Sequence, residues 1–139
     1  MNVTLLSASH PTDTTAYFLV DKFVYKYTPR GVLYRVIGLN TKQEKDVEVD
    51  FNVFNAHTQI LIWQCVEKHR DRVQEVNDLL DNVRSQGPSN LGFETIDITP
   101  NYGSRNNGAI LLTHPLLDGW NVINNFNHNF ALTKVQKLD

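Results

Sequence analysis

Seven positions constrain this chain more than any others. Ile62, Val66, His69, Val73, Val76, Leu80 and Val83 recur at alternating spacings of four and three residues, which places them on one stripe of an α-helix. Asn55 is suited to the N-cap, Gly87 and Pro88 are stop signals, and Arg84 falls in the last turn, so the spacing predicts one helix from about residue 56 to 85. At ~1.5 Å per residue such a helix is about 43 Å long. A compact body of 139 residues has a radius of gyration of about 14 Å, hence a diameter of about 37 Å. The rod must therefore break, near Glu67-Lys68-His69-Arg70, or carry its far end to a neighbouring chain. An alternative exists for residues 58–66, which are β-branched and aromatic enough for a fourth strand, with a shorter helix capped by Asp71 and Gln74. The unbroken phase of the stripe favours a single helix.

The rest of the sequence reads as antiparallel β-structure, making the fold class α+β. Residues 17–27 and 32–39 are rich in Phe, Val and Tyr and flank Thr28-Pro29-Arg30-Gly31, where Pro29 pre-sets φ and Gly31 can turn left-handed. A hairpin over 17–39 follows. In residues 46–54, Val47, Val49, Phe51 and Val53 alternate with Asp46, Glu48, Asp50 and Asn52, the pattern of a half-buried strand. The meander over about 17–54 is thus expected to have three strands. After Gly87-Pro88 further strands are expected at about 93–98, 109–113 and 129–136. Residues 116–123 form a connector holding the aromatic Trp120, and 100–108 a loop projecting from a single domain, 1–139.

Composition removes several function classes. Thirteen basic against fifteen acidic residues give a net charge of −2, without the basic excess that a counterion-releasing nucleic-acid binder displays. One cysteine, Cys65, permits neither an internal disulfide nor a cysteine-based zinc module. The N-terminal segment lacks the basic and apolar regions of a signal peptide, and apolar runs such as Ile60-Leu61-Ile62-Trp63 are far short of the ~20 residues a membrane span needs. Asn2-Val3-Thr4 matches a glycosylation acceptor, which without a secretion signal is coincidence. A cytoplasmic or virus-particle location, no membrane and no cofactor are the expectations. Fifteen asparagines, five of them between 121 and 130, suit a loop-rich, hydrogen-bonding surface.

Four groups of residues bear on chemistry. His10-Pro11 and His114-Pro115 each follow a leucine pair and a hydroxyl residue, so two histidines from distant strands would serve as general acid and base, as in two-histidine phosphoesterases. Such enzymes place a phosphate-binding hydroxyl two residues after each histidine. Thr12 supplies it after His10, whereas Leu116 stands in that place after His114. Asp46, Glu48 and Asp50 share one strand face and would ligate a divalent metal, or simply form a polar face opposite Lys22, Lys26 or Arg35. Cys65 and His69 lie one helical turn apart, but mid-helix, away from the N-terminus that would activate a thiol. The loop containing Tyr102-Gly103-Ser104-Arg105 has no phosphate-loop lysine and opens no helix, so Tyr102 and Arg105 read as protein contacts. His69, Arg72 and Val76, beside a charged run on the rod, join them as candidate contact residues.

No serine-hydrolase elbow, zinc-protease pair or dinucleotide fingerprint occurs. The expectation is therefore a non-enzymatic assembly protein that associates with itself or docks on neighbouring subunits. The build suits ring- or tube-forming subunits such as phage tail, connector and decoration proteins, an analogy of architecture alone. A small hydrolase or phosphoesterase using His10 and His114, and an inhibitor or adaptor that binds one partner protein, are the alternatives.

Overall fold

The computed structural model describes residues 2–8, 10–38, 45–87, 91–97, 110–124 and 130–133. Two antiparallel sheets flank one long helix in the sequence, an α+β arrangement. The chain divides into two compact units, residues 1–73 and 74–139.

Unit 1 contains a five-stranded meander in sequential order: β1 (Val3–Leu5), β2 (Ala16–Val20), β3 (Phe23–Tyr27), β4 (Leu33–Ile37) and β5 (Lys45–Glu48). The turn between β3 and β4 is the one expected: Gly31 has φ +86°, its N–H bonds Thr28 O at 2.9 Å, and Thr28 N bonds Val32 O at 2.9 Å. The single strand expected over 17–27 is instead two. Val20 pairs with Phe23 across a two-residue turn in which Asp21 adopts a left-handed φ of 54°. Primed hairpin turns demand this at their first central position, and Asp tolerates it better than most residues. Asp21 N also bonds Asn2 O at 3.0 Å, which ties the turn to the unanticipated β1.

The strand expected over 46–54 is shorter too. The Asp50 carboxylate accepts a hydrogen bond from Asn52 N at 2.9 Å and caps a short 3₁₀ turn at Phe51–Val53. Such side-chain-to-backbone bonds compete with the ladder and end it. Rather than being half-buried, β5 is exposed throughout. Val49 and Phe51 turn inward against the core, while Val47 and Val53 stay outside.

The helix α1 spans Ala56–Gln86, 31 residues without a break, which excludes the strand alternative for 58–66. Asn55 caps it, its side-chain oxygen accepting from Thr58 N at 2.8 Å. Gly87, at φ +80°, closes it with an N–H bond to Val83 O at 2.9 Å. The whole stripe is buried: Ile62, Val66, His69, Val73, Val76, Leu80 and Val83 are all 6% exposed or less. Ile62 and Val66 pack with Phe18, Tyr25, Tyr27, Leu33 and Phe54 of unit 1. Val76, Leu80 and Val83 pack with Leu112, Leu117 and Val122 of unit 2. The expected misfit between rod and body is resolved because each half of the rod serves its own core, so the stripe requires neither a break nor a sister chain.

Unit 2 holds a four-stranded meander, β6 (Glu94–Asp97), β7 (Ile110–Thr113), β8 (Asn121–Asn124) and β9 (Phe130–Thr133). The segment read as a connector over 116–123 is a 3₁₀ turn at Pro115–Leu117, then β8, separated by the left-handed pair Asp118 and Gly119 at φ 52° and 86°. Leu117 and Val122 are fully buried, and Trp120 packs partly buried against them. The loop expected over 100–108 lies outside the described residues.

Candidate functional site

The two candidate catalytic histidines fall in different units, and turns of their own unit hold both rings. In unit 1, His10 Nδ1 lies 2.8 Å from Thr12 Oγ1 and 3.3 Å from Thr12 N. The hydroxyl that would bind phosphate is thus already engaged by the histidine it follows. In unit 2, His114 Nδ1 accepts from Leu116 N at 3.1 Å, and Nε2–H donates to Leu91 O at 3.1 Å. Backbone partners occupy both nitrogens, and this pairing assigns the proton to Nε2. The Phe93 ring adds an edge contact at 5.1 Å. His114 borders a cleft of about 410 Å³ with Glu94, Thr113, Trp120 and Asn121. There it acts as the cap of a 3₁₀ turn, which leaves no ring nitrogen open to a substrate.

The carboxylates separate in the same way. Asp46 and Glu48 share one face of β5, but Asp50 is the cap described above. Asp46 forms a salt bridge with Lys26, one of the opposing bases expected, and this bond holds the Lys26 ammonium above its usual pKa. Lys26 also lies 5.5 Å from the Tyr34 ring centre. Among the described residues no three His, Cys, Asp or Glu side chains converge as a metal-ligand set.

Cys65 is half-buried against the unit 1 core, and burial pushes its thiol pKa up, with Lys68 pulling in the opposite direction. A raised pKa leaves little thiolate near neutrality, the reverse of an activated nucleophile. His69 is 3% exposed, and its Nε2–H donates to the Asp13 carbonyl at 2.6 Å, supplying the partner that a polar group on an apolar stripe needs. It fastens the segment before β2 to the helix. Val76 is fully buried in unit 2 and Arg72 is half-buried with a partner of its own. Tyr102 and Arg105 lie outside the described residues.

The sheet of unit 1 offers a surface of another kind. Register sets three rows across the face that carries its core. Ala16, Tyr27 and Leu33 form a buried row that Val49 extends. Phe18, Tyr25, Arg35 and Val47 form the next, buried at the β2 side and open at β5. The last holds Val20, Phe23, Ile37 and Lys45, of which only Val20 is buried. Among the described residues nothing covers one corner of the core-bearing face, where Phe23 is 47%, Ile37 42% and Val47 49% exposed. Arg35 crosses it, its guanidinium carbon 3.7 Å from the Phe23 ring centre.

Sequence pattern could not reveal this corner. Alternation places Val47 on a core face but does not show how far the core extends, and the break at Asp21 hides that Phe23 begins a new strand. Among the described residues no helix is long and apolar enough to cross a membrane. No family model matches the chain, and neither a curated protein nor a solved structure does.

Proposed function

We propose that this chain is a non-catalytic assembly protein that docks on protein subunits, its own copies or others, through the uncovered corner of the unit 1 sheet. The observation that carries this reading is the exposure of Phe23, Ile37 and Val47 on the same face as the core. A sheet face that is apolar beyond its own core resembles the centre of a protein interface more than a solvent surface. The local use of His10, Thr12 and His114 supports the non-catalytic part.

The test is the size at which the protein runs in a native extract of the cells that make it. The wild type is expected well above its 15.9 kDa chain mass. A Phe23→Ser/Ile37→Ser/Val47→Ser variant is expected to stay folded, since exposed side chains contribute little to stability, and to run as a single chain. Unchanged elution of a folded triple variant would count against the corner, and single-chain elution of the wild type would count against docking altogether.

A further inference from the structure

The chemistry of the corner says more about what covers it. Two cations stand among its apolar side chains: Arg35 in the middle row and Lys45 at the end of the row that contains Ile37. The nearby carboxylates Asp46 and Glu48 alternate onto the opposite face of β5, where Asp46 pairs with Lys26. Among the described residues neither Arg35 nor Lys45 has a carboxylate partner, and Arg35 Nε is buried without an acceptor. An orphaned donor of this kind is costly when it is sealed from water. Covering the corner with a purely apolar surface would trap both cations unpaired, whereas a carboxylate delivered with apolar neighbours would pair them.

A second copy of the chain does not meet these terms along the open edge of β5. Laid antiparallel and centred on Val47, it would set Asp46 directly opposite the copy's Glu48, twice. Centred on Asp46, it would oppose two Asp46 side chains. Like charges directly opposite destabilise a strand pair, so the edge is protected against itself. We infer that the occupant is a segment of a different protein in which a carboxylate side chain is flanked by large apolar ones. The apolar groups lie on Phe23, Ile37 and Val47, and the carboxylate meets Arg35 and Lys45. This inference rests on the corner being a docking surface and adds the partner's chemistry.

The experiment titrates the purified full-length chain with two short labelled peptides, followed by amide chemical shifts. One carries a Leu-Phe-Glu-Leu-Phe centre and the other its Gln counterpart. The acidic peptide is expected to bind about tenfold more tightly, consistent with one charge-assisted pair, to shift the amides of Phe23, Ile37 and Val47, and to weaken with added salt. An Arg35→Gln/Lys45→Gln variant should bind both peptides equally. Lys45→Gln alone, at an exposed position, should lose part of the preference and covers the case in which the Arg35 change disturbs the sheet. Equal binding of both peptides to the wild type overturns the acidic partner and leaves an apolar docking surface standing. Failure of both peptides to shift the corner overturns the inference, as does a wild-type dimer in light scattering that Val47→Glu dissolves. The native-extract experiment reports on docking as such, whatever the partner's chemistry.

Discussion

His69 shows how a residue type can be legible while its role is not. Its place on an apolar stripe requires a hydrogen-bond partner. Nothing in the spacing shows that the partner is the Asp13 carbonyl, 56 residues away. Replacing His69 with Ala removes that donor and leaves a void in a buried site. Urea denaturation should show a loss of about 2 kcal/mol, with residues 10–15 becoming the first site of limited proteolysis. A second residue-scale test follows from Lys26. Its ammonium pKa is raised chiefly by the hydrogen bond to Asp46, with burial opposing. A raised pKa in the folded state means that the bridge contributes fully below the unfolded lysine value of ~10.4, and that its contribution vanishes as pH rises through the folded value. Asp46→Asn should therefore cost roughly 0.5 kcal/mol at pH 8, with the two proteins converging at strongly alkaline pH. A gap that widened with pH would contradict this assignment.

At the level of elements, the helix and the strand-rich flanks were legible because their signals are periodic. Seven in-phase positions, a capping Asn55 and a closing Gly87 identify α1 almost to the residue. Exchanging Asn55 for Ala should lower the melting temperature, reflecting about 1 kcal/mol of lost capping. The errors arose where a single side chain acts on the backbone. Asp21 turns β2 into β3 without the Gly, Asn or Pro that usually marks a hairpin. Asp50 halts β5 in the middle of an unbroken alternation, because its carboxylate outcompetes the ladder for an N–H. Strand β8 looks like a connector in the sequence because Asp118-Gly119 and the asparagines beyond it carry turn chemistry, yet Val122 and Ile123 continue the sheet.

For the molecule as a whole, a helix of this length is a misfit only on one spherical core, and the chain builds two. Each unit has its own apolar cluster and takes half of the stripe, so the pressure to associate does not come from the helix. Under the docking proposal it comes instead from unit 1, where a four-residue edge strand, exposed along its length, leaves the sheet's apolar face wider than the core beneath it. None of the candidate catalytic residues pointed there, since a docking surface needs no special residue types, only apolar ones left uncovered. The most direct measurement is photo-crosslinking in the cells that make the protein, with a benzophenone amino acid in place of Ile37 and, as a control, of the exposed helix residue Glu75. The docking account predicts a discrete protein adduct from position 37 and none from position 75. Equal labelling from both positions, or an unadducted chain from both, would contradict it.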